Sequence, residues 1–325
     1  MITARTILLI AFALLALLSL FISLLEGSTL ITPHELYSVL SGQDVSSVIQ
    51  QIVLEIRMPR VFCAFITGGL LALSGALMQV LLRNPLADPY ILGVSSGAAL
   101  TTLVAIVSGL TGYWLTGAAW AGSLVAIFIV LILSKRKKEW ESQHILLTGV
   151  AVASGFSAFI SLILILSPDK ALRGMLFWLL GDLSYAHPPL FEAMILFVGL
   201  LISLALAKQL NIFVRGEKEA KALGINTARL KLQLYFLSAL LAATAVTLAG
   251  CIGFIGLIVP HLFRMLCGYN HRYLLPGCVL LGGSLLTIAD LLSRVMLSSQ
   301  QLPVGMITAM IGIPVFLFLL RKNEL

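Results

Sequence analysis

Residues 58–82 read MPRVFCAFITGGLLALSGALMQVLL, an almost unbroken apolar run set between Arg57 and Arg83. A helix needs about 20 apolar residues to cross the hydrocarbon of a bilayer, and this run supplies them. Backbone in hydrocarbon must satisfy its own hydrogen bonds, which forces a helix here; the period-two alternation of a membrane barrel is absent. Within the run Gly68, Ala72 and Ala76 recur four apart. Small residues at that spacing let helix backbones approach closely in lipid, where no hydrophobic force drives association. Close packing is the expectation; a glycine-lined pathway is the alternative.

Working outward, the rest of the chain has the same character. Of 325 residues, 59% are apolar and 11% charged, against about 25% charged in a soluble chain. No polar stretch is long enough for a separate soluble domain, so residues 1–325 read as one membrane domain. Apolar runs predict spans near 5–26, 58–82, 91–109, 114–134, 144–167, 190–210, 230–250, 252–267, 274–297 and 303–320, about ten transmembrane helices in an all-α fold. A short amphipathic helix is expected over 171–183. The gap near Gly250 leaves open a single broken helix. The first run reaches Glu26-Gly27 without a small-x-small cleavage site, so it reads as a retained span and not a signal peptide.

The net charge of +7 lies in short gaps between apolar runs, which is how topology is encoded and is a poor match to nucleic-acid binding. With the N-terminus inside, the inner gaps hold Arg5, Arg83, the 135–138 run, Lys208, Arg215, Lys218, Lys221, Arg229, Lys231, Arg264, Arg272, Arg321 and Lys322. The outer gaps hold only Arg57, Arg60, Lys170, Arg173 and Arg294. The bias places both termini in the cytoplasm of a bacterial inner-membrane protein.

Few residues inside the spans carry chemistry. Asp88-Pro89 is a helix-start signal. Pro260 would free a carbonyl one turn back that a neighbour must satisfy, and His261 beside it is the expected partner. Arg264 is expected to snorkel to the inner interface. Asp290 lies four residues before Arg294, where the two pair on one helix face; a proton relay is the alternative. Cys63, Cys251, Cys267 and Cys278 make no C-x-x-C pair, and no histidines share a metal-ligand spacing. No phosphate loop, H-E-x-x-H or G-x-S-x-G occurs, so ATP is not bound in that way and no hydrolase site is visible.

The inner segment 211–229 is the most charged. Within it Glu217 and Lys221 form an i, i+4 pair, acidic residues sit in a first turn, and Gly224 suits a helix C-terminal cap. It reads as a short charged helix lying on the inner face, or as a plain solvated connector.

Several segments taken together resemble one family. They are Arg57-Met-Pro-Arg60, residues 75–89 (GALMQVLLRNPLADP), residues 92–98 (LGVSSGA), Leu147-Thr-Gly-Val-Ala151, Phe177-Trp-Leu-Leu-Gly181, Glu217 to Gly224, residues 253–264 (GFIGLIVPHLFR) and Leu302-Pro-Val-Gly305. In this order they are similar to the BtuC/FecCD-type permeases, the membrane subunits of ABC importers for cobalamin, ferric siderophores and haem. The resemblance implies a homodimer with ten helices per subunit, two cytoplasmic ABC ATPase subunits that use ATP and Mg, and one periplasmic substrate-binding protein. It implies no cofactor, metal or catalytic residue in this chain itself, which contacts membrane lipid and no nucleic acid.

By the same resemblance, the residues that dock the binding protein fall on Arg57, Arg60 and Arg294, all in outer gaps, with anchoring of helix ends as the alternative. The ATPase-coupling helix falls on Arg215, Gly216, Glu217, Lys218, Glu219, Ala220, Lys221, Ala222, Leu223 and Gly224. The cytoplasmic gate falls on Ser142 and Gln143, the latter bulkier than the small residue of cobalamin-type members. The pathway falls on about 144–183 and 303–320, largely uncharged. Residues 177–181 lie closer to iron-type members. The expected function is therefore a permease for a ferric siderophore or haem, with cobalamin as the alternative. An ion-coupled secondary transporter, which would need buried carboxylates for a coupling site, and a membrane-embedded enzyme are the readings from other classes.

Overall fold

A computed structural model describes residues 4–27, 29–43, 46–134, 142–184, 186–297 and 301–321. The described chain is helical throughout: α1 (Ala4–Leu25), α2 (Pro33–Leu40), α3 (Ser47–Gln51), α4 (Met58–Leu82), α5 (Val94–Val107), α6 (Tyr113–Ser134), α7 (Ser142–Leu166), α8 (Asp169–Leu179), α9 (Leu190–Phe213), α10 (Glu217–Ala222), α11 (Thr227–Ala249), α12 (Ile255–Cys267), α13 (His271–Val295) and α14 (Val304–Arg321). Seven helical stretches are long and apolar enough to span a bilayer, and three shorter apolar helices, α5, α12 and most of α14, fill the remaining predicted spans. The chain is thus a multi-pass membrane bundle. Gly250, at φ 69°, ends α11, and α12 starts afresh at Ile255, so the region near Gly250 is two helices and not one broken one.

The hub is α4. It packs against α13, α11, α12, α9 and α1, and nearly all of its residues are buried. The small residues read from the sequence explain how one helix takes so many neighbours. Gly68 faces the Gly282 carbonyl of α13, and Gly75 faces the Gly256 carbonyl of α12, each so near that a Cβ would fall inside the carbonyl. The backbones are in contact, as small-residue interfaces in lipid allow. Gly75→Val is therefore expected to abolish recovery of folded protein, whereas Gly155→Val, on an open face of α7, leaves it unchanged; detergent-solubilised yield and thermal midpoint measure both.

Polar residues bridge the packed helices. The Ser74 hydroxyl donates to Ser238 O at 2.6 Å, joining α4 to α11, and the Tyr235 hydroxyl donates to Ile127 O at 2.8 Å, joining α11 to α6. Pro260 has no N–H and so frees the Gly256 carbonyl. The sequence assigns its partner to His261; in the structure Gln79 of α4 also reaches the kink, donating Nε2 to Gly256 O at 3.4 Å and to Leu257 O at 3.1 Å. A long-range neighbour thus satisfies the kink.

The stretch between α1 and α4 is more structured than its polar sequence suggests. Pro33 opens α2 behind a capping box, in which Thr32 Oγ1 accepts from Glu35 N at 3.3 Å and the Glu35 carboxylate accepts from Thr32 N at 2.8 Å. α3 runs through a π-helical stretch, Ile52–Arg57, directly into α4. Asp88 caps the turn Pro89–Leu92 by accepting from Tyr90 N at 2.8 Å, and α5 follows only at Val94. The amphipathic helix expected over 171–183 is α8, two residues earlier at its start and ending at Leu179.

Candidate functional site

The predicted outer arginines come together at the ends of α1, α4 and α13. α1 ends at Leu25 with no basic residue in its last turn, leaving carbonyls at the negative end of its dipole without partners of their own. Other helices supply the cations. Arg57 Nη1 donates to Leu24 O at 2.8 Å and Leu25 O at 2.6 Å, and its Nη2 donates to Thr29 O. Arg294 Nη1 donates to Glu26 O at 3.2 Å, and its Nη2 donates to Ser23 Oγ at 2.6 Å.

Asp290 ties the cluster together. It is fully buried; its Oδ2 takes Arg294 Nε at 3.0 Å, the predicted i, i+4 pair, and its Oδ1 takes Arg60 Nε from α4 at 2.9 Å. Arg60 Nη1 also donates to Gln301 Oε1 at 2.9 Å. Both oxygens of this carboxylate are thus engaged by guanidinium groups from two helices. Arg57 is 4% exposed and Arg60 8%, and the Arg294 side chain is 7% exposed. Arg57 and Arg294 are thus engaged at the end of α1 and Arg60 by the Asp290 and Gln301 side chains, and all three guanidinium groups present little surface.

On the opposite face α10 is a single-turn-and-a-half helix fixed to the bundle. Ala220 is fully buried and belongs to the main apolar core, while Lys218, Glu219, Lys221, Ala222 and Leu223 are exposed. Glu217 is the fastening: its Oε2 takes Lys231 Nζ of α11 at 2.7 Å, and its Oε1 takes Lys221 Nζ at 3.2 Å and the Thr227 hydroxyl at 3.3 Å. Burial pushes this carboxyl up, but the Lys231 and Lys221 ammonium groups outweigh it and hold Glu217 below its ordinary range. A depressed carboxyl keeps its contribution above its unfolded value and loses it only as pH falls through the folded one. The fastening is therefore intact at neutral pH. Gly216 precedes the helix in an extended conformation, and Gly224, at φ 81°, ends it in the left-handed region that a side chain would strain. Ile225 N then donates to Ala220 O at 3.0 Å, and Asn226 caps α11 by accepting from Arg229 N at 3.0 Å. Arg215 lies in the turn between α9 and α10.

The expected gate residues Ser142 and Gln143 open α7, and their side chains lie outside the described ones, as do residues 135–141. The rest of α7 is mostly exposed. Ser154, Ser157 and Ser161 line its open face, each hydroxyl bonded back to a carbonyl four residues earlier. From Ile145 to Leu166 and from Val304 to Phe318 there is no charged residue. Sequence reasoning missed Gln79 and the reach of Arg60 to Asp290, since both join residues far apart in the chain.

Known proteins are similar to this chain in sequence and fold. A family model described as the FecCD transport family matches residues 14–322. The hemin transport system permease protein HmuU of Yersinia pestis is 41% identical over 288 residues, covering 84% of each chain. The vitamin B12 import system permease protein BtuC of Salmonella typhi is 37% identical over 320 residues, covering 97% of this chain and 95% of the relative. A solved structure described as an inward-facing conformation of an ABC transporter of metal-chelate type superposes with a TM-score of 0.86 at 34% identity, over 97% of this chain and 98% of the other. With a family match over nearly its whole length and relatives of this identity and coverage, the chain belongs to the FecCD transport family.

Proposed function

We propose that the chain is the membrane-spanning permease subunit of an ABC importer that moves a metal chelate, a ferric siderophore or haem, across the bacterial inner membrane by alternating access. Cobalamin is the second reading, favoured by the BtuC relative. The observation that carries the proposal is α10: a charged, exposed helix on the inner face whose Glu217 and Ala220 lock it to the bundle, so that a push on it is passed to α11. Two cytoplasmic ATPase subunits supply that push by using ATP and Mg, and both termini lie on their side of the membrane. Nucleotide changes the relative stability of outward-open and inward-open states, and the cargo follows. No covalent chemistry takes place in this chain.

The open, uncharged faces of α7 and α14 support a homodimer with the pathway between the subunits, gated near Ser142 and Gln143. Such a wall lets a bulky chelate pass without holding it, since its serines have already spent their hydroxyls on the backbone. On the outer face the arginine cluster sets the shape and the positive field of the rim, with three guanidinium groups against Asp290 and Glu26. Its docking role for a periplasmic binding protein is thus one of positioning and steering acidic residues. Co-purification of the tagged permease with its ATPase and binding protein tests the assembly, and titrating that binding protein with haem, a ferric siderophore and cobalamin identifies the cargo. The expected result is a complex with two permease copies and two ATPase copies, and tight binding of one iron chelate. A lone permease with no nucleotide-binding partner overturns the proposal.

A further inference from the structure

Where α4, α12 and α13 end on the α10 side of the bundle, their termini enclose a cleft of about 190 Å³ that the transport scheme does not use. At roughly 30 Å³ of liquid per water, it has room for a phosphate group with several waters. Its polar lining includes Gln79, Arg83, Asn84, Arg264 and His271, and no carboxylate. Two of these present unused buried atoms. His271 is 2% exposed; its Nδ1 lies 2.7 Å from Asn211 Oδ1, an oxygen that can only accept, so Nδ1 carries the proton and Nε2 is left without a partner. Arg264, expected to snorkel into water, instead has its Nη2 buried and unbonded. A guanidinium nitrogen without an acceptor in a buried place is costly, and an anion in the cleft relieves it.

The mouth of the cleft has an apolar and aromatic rim. Tyr269 and Met265 line it and, with Leu266 beside them, are among the exposed large apolar residues. The Arg5 guanidinium of α1 sits nearby, 5.9 Å from the centre of the Tyr273 ring. Basic groups between helix ends beneath an apolar and aromatic rim at the interface are the surroundings of a phospholipid headgroup. We propose that this cleft binds the phosphate of an anionic phospholipid in the leaflet on the α10 side, held by Arg264 and Arg83, with a water donating to both His271 Nε2 and the phosphate. Bound there, the lipid joins the end of the hub helix α4 to the α12–α13 turn next to the connector.

The test is native mass spectrometry of the purified permease, released from nanodiscs of dioleoylphosphatidylcholine containing or lacking dioleoylphosphatidylglycerol, with thermal midpoints measured in both. The wild type is expected to retain phosphatidylglycerol and to melt higher in its presence. Arg264→Gln is expected to lower retention about tenfold or more, the loss of one charge-assisted hydrogen bond, while Arg264→Lys restores part of it. Arg83 is exposed, so Arg83→Gln provides a second variant that leaves the fold intact. Its midpoint in phosphatidylcholine is expected to match the wild type, with weaker retention of phosphatidylglycerol. Equal retention in wild type and both variants overturns the proposal. So does a wild-type midpoint raised as much by inorganic phosphate in phosphatidylcholine, which would make the site one for free phosphate. Loss of ATPase affinity in Arg83→Gln with unchanged lipid retention would assign the cleft to a protein partner and overturn it as well.

Discussion

Asp290→Asn is expected to destabilise the folded permease by about 3–5 kcal/mol, the usual cost of removing one partner from a buried ionic cluster. Each oxygen of this carboxylate engages a different guanidinium group, Arg60 from α4 and Arg294 from its own helix. Asparagine keeps the shape but leaves two buried cations facing each other without compensation. The consequence reaches past the pair. Arg294 also caps the carbonyls at the end of α1, so the outer junction of three helices loosens together. Arg294→Lys keeps the charge but loses the planar fork that reaches Asp290 and Ser23 at once, and its loss is expected to be smaller. Thermal unfolding of the purified variants, with yield of monodisperse protein, ranks them; an Asp290→Asn midpoint equal to the wild type would contradict this account of the cluster.

The second large effect is expected at the connector. Glu217→Ala removes the carboxylate that Lys231, Lys221 and Thr227 share, so α10 loses its charged fastening to α11 and keeps its apolar packing through Ala220. A hydrogen bond to a charged group contributes about 1.5–3 kcal/mol. Spent wholly on transmitting motion, that corresponds to a loss of roughly tenfold to a hundredfold in ATP-driven uptake. Lys231 is buried and loses the Glu217 carboxylate, so the thermal midpoint is expected to fall as well, and uptake is compared per amount of folded protein. Uptake at the wild-type rate, or loss of uptake only in step with loss of folded protein, would show that α10 is a passive loop.

Local signals were legible in the sequence and long-range ones were not. The hub helix, the Asp290–Arg294 pair, the Glu217–Lys221 pair and the glycine that ends α10 each depend on residues within a turn or a span of one another, and each appears where its spacing places it. The capping box at Thr32 and Glu35 was also there to be read, but the surrounding polar stretch disguised it as an open gap. The continuation of α4 back through Ile52–Arg57 to Ser47 was hidden by Gln50, Gln51 and Glu55, which break the apolar pattern without breaking the helix. Arg60 with Asp290, and Gln79 with the carbonyl freed by Pro260, join residues separated by well over a hundred positions. Nothing in local spacing points from one to the other, because tertiary packing alone decides which polar groups meet. The outer arginines show the difference most clearly: sequence placed them on one face, but not their enclosure among the ends of α1, α4 and α13.

The central claim is that this bundle moves its cargo only when a nucleotide-driven partner works through α10. Uptake into proteoliposomes containing the permease and its ATPase, with the loaded binding protein outside and the proton gradient collapsed, measures this directly. The account predicts accumulation that requires ATP on the α10 side and falls about tenfold or more with Glu217→Ala. Accumulation against a gradient without nucleotide, driven by a restored proton gradient, would contradict it.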